Sequence, residues 1–314
     1  MRAILNARIE SAIAVYGRAV FVLGIDRSGT SMVSEVLSRF GAYAGPAEEL
    51  CKADEGNPQG YWEYKPMQAF FGDLINGVGL SIWDPAFKPA IAGRADDPEM
   101  RRRVLELAAG MRPPGEPRES AGLWLWKEQQ LVFALPFLRR VFPDAFYLIT
   151  LRNPYDSALS YDKLRVVPAL RGKVRLIGYS LLRWQHFMVD ICEGLRTHPL
   201  KLIVPYEELV SRPREQCARI VDLLAGRGGE AAASERAAER MAAAIKPRLW
   251  RNHSDVPFSQ LGSVSAAQKA LYAYLSSHLD GDLEDFDASA YPFPEWSREY
   301  CANMSVMQWL LGSL

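Results

Sequence analysis

Between residues 24 and 31 the chain reads Gly24-Ile25-Asp26-Arg27-Ser28-Gly29-Thr30-Ser31. A turn of this make-up, set between a strand and a helix, points successive backbone N–H groups inward. The helix N-terminus adds a partial positive charge, so the turn can cradle an anion. The glycine spacing is that of the nucleotide-binding loop G-x-x-x-x-G-K-[ST]. The lysine of that pattern is missing: Thr30 stands in its place, and a cation appears inside the loop as Arg27. A nucleoside triphosphate site uses the lysine on the β/γ-phosphates and an acidic strand end for Mg²⁺. Here the next candidate strand of this kind ends in Arg152. An anion held at strand ends by arginine, with no metal, fits these residues better. A P-loop kinase or NTPase is the alternative, and it predicts Mg²⁺-dependent ATP binding.

The elements that must position these groups follow from hydrophobic patterning. Ala19 to Ile25 is a short apolar run rich in β-branched and aromatic residues, which predicts a buried strand. Thr30 to Phe40 then places Met32, Val33, Val36, Leu37 and Phe40 at helical spacing. Ala145 to Leu151 predicts a second buried strand. Asn153-Pro154 follows it as the N-cap and first turn of a helix. Lys201 to Pro205 predicts a third strand, with a helix from about Arg214 to Leu224. Strands alternating with helices imply an α/β fold, a P-loop-like parallel sheet flanked by helices on both faces. The stretch 88–122, rich in Pro, Gly, Arg and Glu, with one short helical pattern near Glu99 to Met111, reads as a surface excursion or lid. Residues 226–244 read as a solvated helix after a loose turn.

Composition narrows the function classes. The chain has 314 residues, 49% hydrophobic and 24% charged, with 37 basic against 37 acidic side chains. That length supports a full core, and no linker divides it, so 1–314 is expected to be one domain with a variable C-terminal segment at 225–314. Zero net charge argues against bulk electrostatic binding of nucleic acid, although it leaves room for a local anion pocket. The four cysteines are scattered, which disfavours a zinc site or a disulfide framework and fits a cytoplasmic setting. No apolar run is long enough to span a bilayer, and Met1 to Arg18 has no secretory pattern. Nothing in the sequence signals an oligomeric state.

Five segments, in order between residues 19 and 224, resemble the PAPS-dependent sulfotransferases, above all bacterial members and the Golgi branch that modifies carbohydrate and tyrosine. Arg27-Ser28-Gly29-Thr30-Ser31 is similar to that family's 5′-phosphosulfate loop. Leu151-Arg152-Asn153-Pro154 with Ser160 is similar to its 3′-phosphate motif. Trp126-Lys127-Glu128, with Leu135-Pro136-Phe137 and Phe142-Pro143-Asp144, resembles its W-x-x-K-D-P-R run. Asn57-Pro58-Gln59-Gly60-Tyr61-Trp62-Glu63 resembles the bacterial N-P-x-G-Y-[FW]-E segment, and Val204-Pro205-Tyr206-Glu207-Glu208-Leu209 a strand end of the same members. The chain departs from the pattern after Lys127, where D-P-R reads Glu128-Gln129-Gln130. Any role of that arginine is missing or supplied elsewhere.

The resemblance implies a sulfotransferase fold and a chemistry. A sulfuryl group would pass from PAPS to a hydroxyl or amine, releasing adenosine 3′,5′-bisphosphate, with no metal. Arg27 and the loop from Ser28 through Gly29 and Thr30 to Ser31 would hold the 5′-phosphate. Arg152 and Ser160 would hold the 3′-phosphate, and Lys127 would reach the transferring group. Relatives place the base at a glutamate that corresponds here to Glu48 or Glu49, whereas the bacterial pattern points to Glu63, the preferred candidate. Arg251, in the basic run Lys246 to Arg251, would close over the nucleotide. The acceptor would be a small molecule, carbohydrate or natural product. A non-catalytic nucleotide-binding relative is the remaining alternative, given the altered residues after Lys127.

Overall fold

The computed structural model of the chain describes residues 18–54, 57, 60–111, 122–165, 176–225, 231–247 and 254–312. Four parallel strands form the centre: β1 (Ala19–Leu23), β2 (Trp124–Lys127), β3 (Phe146–Leu151) and β4 (Lys201–Pro205), in the order β2-β1-β3-β4. The period of two along each strand divides the sheet between two cores. Phe21, Leu23, Trp124, Trp126, Tyr147 and Ile149 face one of them. Val20, Val22, Leu125, Phe146 and Leu148 face the other. On the first face the Phe21 ring lies 5.4 to 6.0 Å from the rings of Tyr147, Phe142, Trp126 and Trp124. Burial of each such side chain contributes about 1.5–3 kcal/mol, so this face anchors the sheet.

The helices cover both faces. In chain order they begin with α1 (Thr30–Phe40), α2 (Lys65–Asn76), α3 (Phe87–Gly93), α4 (Pro98–Ala109), α5 (Gln130–Phe133), α6 (Leu135–Val141) and α7 (Pro154–Arg165). They continue with α8 (Ile177–Leu195), α9 (Tyr206–Ser211), α10 (Pro213–Ala225), α11 (Ala231–Ala242), α12 (Ala266–Ser277) and α13 (Ser297–Gly312). The expected span of α1 is found to the residue, ending at Gly41 with φ 117°, the left-handed turn that glycine adopts without strain. The first strand ends two residues earlier than its apolar run, because the chain at Gly24 already turns into the loop.

Two expectations change. The stretch 88–122 is in large part a packed layer: Ile91, Val104, Leu105 and Ala108, with Phe87 just before it, join the same core as the aromatic face of the sheet. Helix α4 starts where Asp97 accepts from the amides of Glu99 and Met100, with Pro98 at its first position. Residues 112–121 lie outside the described residues. The second change concerns α11, expected to be solvated. It buries Ala237, Ala238 and Met241 against the core that also holds α1 and α10. Alanines on one face let the helix approach closely, a pattern that composition alone disguises as polar.

Among the described residues no helix is long and apolar enough to cross a membrane. All four strands run in one direction, with β3 and β4 ending together where Leu151 pairs with Pro205, two residues past the Leu23–Ile149 pair that ends β1 and three past the Lys127 end of β2, since Val22 pairs with both Lys127 and Leu148. Gly24, Glu128, Arg152 and Tyr206 therefore leave the sheet at one edge. Strand order reverses between β1 and β3. In open parallel sheets that point leaves a crevice beyond the carboxyl ends of the strands, where ligands bind.

Candidate active site

The loop after β1 is shaped by contacts that only glycine permits. A Cβ on Gly24 (φ 151°) would stand 2.1 Å from Thr150 Oγ1, and one on Gly29 (φ 101°) 2.3 Å from Cδ2 of the Tyr206 ring. Between them Arg27 takes φ 66°, a left-handed conformation that costs a non-glycine residue about 1–2 kcal/mol. Ser28 turns inward: its Oγ lies 2.7 Å from Ile25 O and 2.7 Å from Thr150 Oγ1, and its amide donates to Ile25 O at 3.2 Å. Its part is to hold the turn. Gly29 is the N-cap of α1 and has no side chain to offer the helix. The first-turn amides, Thr30 and Ser31 among them, have no intrahelical acceptor, and a helix N-terminus of this kind can hold an anion.

Both arginines meet at this loop. Arg27 Nε donates to Ser160 Oγ on α7 at 3.0 Å. Arg152, at the tip of β3, donates from Nη1 to the Arg27 carbonyl at 2.8 Å, and its guanidinium lies 4.7 Å from the centre of the Tyr206 ring. Arg27, Arg152 and Ser160, 133 residues apart at the extremes, thus form one cluster. Beside it, Asn153 Oδ1 accepts from the Tyr155 amide at 3.0 Å, the expected N-cap of α7. The Asn153 amide donates to Glu207 Oε1 at 2.9 Å. Burial raises the Glu207 carboxyl above its ordinary range, although that amide and Arg152 pull it down.

A second cluster stands at the end of β2. Lys127 Nζ pairs with Glu63 Oε1 at 2.5 Å, with both side chains largely buried. The amide of Gln68, on α2, donates to Glu63 Oε2 at 3.1 Å and to Glu128 Oε2 at 2.5 Å. Gln68 Oε1 in turn accepts from the Cys51 thiol at 3.2 Å, and Glu128 Oε1 accepts from the Gln129 amide at 2.8 Å. Burial, then the neighbouring Glu63 charge, raises the Glu128 carboxyl. The same two causes, with Glu128 added, raise the Cys51 thiol. Asn57 ties the segment carrying Glu63 to the phosphate loop, donating from Nδ2 to Ser31 Oγ at 2.9 Å and to Gly60 O at 2.6 Å. Next to Glu63, Trp62 takes φ 61°, a second strained backbone position.

Of the residues singled out in the sequence, Arg27, Arg152 and Ser160 come together, and so do Glu63 and Lys127. Glu48 stands apart. It is exposed on the short turn Ala47–Glu49 and makes no described contact with Lys127. Its neighbour Glu49 instead accepts from Tyr64, whose hydroxyl is raised to about 12 by burial and by that bond. Arg251 lies outside the described residues.

Several residues of the site were not legible. Gln68 is one polar residue on an amphipathic helix. Arg183 carried a weak signal, as a charge between the apolar residues Leu181-Leu182 and Trp184. Its guanidinium sits 5.3 to 5.4 Å from the ring centres of Tyr161, Tyr179 and Phe187. It reaches Asp26 in the phosphate loop at 3.5 Å and donates to Gln129 Oε1 at 2.8 Å. A cation from α8 thus stands beside the positions where the family pattern has its arginine.

The arrangement can bind two anionic groups on the arginine side and accept or give a proton on the carboxylate side. A family model described as "Sulfotransferase family" matches residues 19–226. Among solved structures, the crystal structure of sulfotransferase STF1 from Mycobacterium tuberculosis H37Rv is similar. The identity is 17%, over 88% of this chain and 81% of that one, with a TM-score of 0.41. Comparison with curated proteins finds no match.

Proposed function

Because the chain belongs to the sulfotransferase family, we propose that it takes a sulfuryl group from PAPS, delivers it to a hydroxyl or amine of an acceptor, and releases adenosine 3′,5′-bisphosphate. The observation that carries this reading is the meeting of Arg27, Arg152 and Ser160. A donor with phosphates at both ends of its ribose needs charge on both sides of one strand gap. The α1 amides and Arg27 take the 5′-phosphate, and Arg152 with Ser160 takes the 3′-phosphate, which ATP lacks.

In the transfer, the acceptor oxygen or nitrogen forms a bond to sulfur while the bond from sulfur to the bridging oxygen breaks. The electron pair stays on the 5′-phosphate. Charge builds there as the bond lengthens, and the loop amides and Arg27 stabilise it most at that moment. Lys127 sits across the crevice on the transferring group. Glu63 takes the acceptor proton, the role a positioned carboxylate fills in general base catalysis. The acceptor is a small molecule, carbohydrate or natural product. All four cysteines carry free thiols, which supports a reducing, cytoplasmic setting.

Isothermal titration with adenosine 3′,5′-bisphosphate and with AMP tests the donor assignment. The bisphosphate binds at least tenfold more tightly, since the 3′-phosphate adds charge-assisted hydrogen bonds of about 1.5–3 kcal/mol. Equal affinity removes the 3′-phosphate site. Labelled PAPS offered with a panel of hydroxylated and amine acceptors then reads transfer itself.

A further inference from the structure

The reading above leaves Glu128 and Gln68 without a task, yet both sit against its two reacting side chains. Gln68 has two amide hydrogens, and each lies on a different carboxylate: Glu63 at 3.1 Å and Glu128 at 2.5 Å. The Cys51 thiol on Gln68 Oε1 fixes the amide in this orientation. The reverse orientation would set the amide oxygen against two carboxylates. Glu128 is 9% exposed and held on its other oxygen by the Gln129 amide.

The charges around this pair come from each element packed on it. β2 brings the ammonium of Lys127, α2 brings Lys65 at its start, and the segment before α2 brings the Cys51 thiol. Among the described residues, the cation directly paired with this site is Lys127, bonded to Glu63 and acting on Glu128 through space. We propose that Glu128 is a positioning residue for the transfer: through Gln68 it fixes the Glu63 carboxylate, and its charge drives a proton onto Glu63 when the donor draws Lys127 away. This role rests on Glu63 being the base.

The physical reason is the count of charge. With Lys127 on Glu63, one carboxylate is balanced. Once the ammonium turns to the sulfuryl group, two like charges remain joined by one neutral amide in a buried site, and the pair favours uptake of a proton. The acceptor hydroxyl supplies that proton as its oxygen bonds to sulfur. The leaving phosphate keeps the electron pair, so atoms and charge balance without any further reactant. Raised proton affinity at Glu128, caused by burial and by Glu63, fits this coupling.

The test is a carboxyl ¹³C NMR titration of the full chain labelled at glutamate, with Glu63→Gln and Glu128→Gln assigning the two resonances. In the unaltered chain the Glu128 resonance is expected to follow two steps. In Glu63→Gln the Glu128 resonance should titrate in one step at lower pH. In Lys127→Met its midpoint should move to higher pH, because the counter-ion is gone. A residue that only packs would give neither the two steps nor the opposite shifts. A single, unmoved step for Glu128 in Glu63→Gln overturns the proposal. The two-step curve of the unaltered chain needs only one assigning variant, so failure of Lys127→Met to fold leaves the test decisive. Transfer from labelled PAPS separates this inference from the reading beneath it. Glu128→Gln is expected to lower kcat about tenfold with KM for PAPS unchanged, and Glu128→Asp to restore part of it. Loss of transfer in Glu63→Gln without coupling in the titration overturns the role of Glu128 alone. Normal transfer in Glu63→Gln overturns the base assignment and this role together.

Discussion

The two halves of the crevice are built in different ways. The arginine half is shaped by backbone: positive φ at Gly24, Arg27 and Gly29, side chains pressed against those glycines, and an arginine that braces a carbonyl of the loop. The carboxylate half is held chiefly by side chains, an ion pair and an amide bridge drawn from three separate segments, with backbone entering at Trp62 and the Gln129 amide. A cradle of backbone amides is set before any ligand arrives. An ion pair between Lys127 and Glu63 can be exchanged for a new partner. One half is suited to holding a donor and the other to changing charge during transfer.

The halves can be separated by substitution. Glu63→Gln should lower transfer about 10²- to 10⁴-fold, the usual worth of a general base, while the affinity for adenosine 3′,5′-bisphosphate stays within about twofold. A matching loss of nucleotide affinity, read by calorimetry, would merge the two halves into one. On the other side, Arg152→Ala should weaken bisphosphate binding about 10- to 100-fold, because it removes both a charge and the brace on the Arg27 carbonyl. Arg27→Lys keeps its charge and should weaken binding less. Equal, small losses would show that the phosphates lie elsewhere.

Stability sharpens the same contrast. Gly29→Ala adds a Cβ into the Tyr206 ring at a left-handed position, and should cost about 1–3 kcal/mol in urea unfolding. Gln68→Ala, on the side-chain half, should cost less. A last prediction belongs to neither half, has no effect near neutral pH and serves as a control. His186 is buried, stacked 3.9 Å from the Phe293 ring and 3.3 Å from Ser297 Oγ, and burial pushes its imidazole down to about 3. The unfolded chain binds a proton there near pH 6.5 and the folded chain does not. Stability is therefore full above about pH 6.5 and falls toward pH 3, by about 1.4 kcal/mol per pH unit from this one group. His186→Gln should flatten that part of the curve and leave nucleotide binding unchanged.

The loop residues and Arg152 were legible because each announces itself locally, whereas Ser160 came from a resemblance. Gly24, Arg27 and Gly29 lie in one loop, Arg152 follows an apolar run, and Asn153-Pro154 marks the helix that carries Ser160. Glu63 and Lys127 came from a resemblance, and their pairing only from the fold. Gln68 had no signal of its own, since a glutamine on a helix face is unremarkable until two carboxylates arrive beside it. Arg183 stood out between apolar neighbours, yet its partners Asp26 and Gln129 lie 157 and 54 residues away. The 88–122 stretch misled for a different reason: its prolines, glycines and charges hide Ile91, Val104 and Leu105, which pack inward.

By itself, the sequence determined what short-range rules govern: which runs become strands, where helices start, and which turn must be glycine. These depend on backbone sterics and on the period of apolar residues within a few turns of chain. Only the tertiary structure decided which charges meet. A buried ion pair or a bridging amide depends on distances across the sheet edge, and those are set by strand order and register, not by neighbours in the chain.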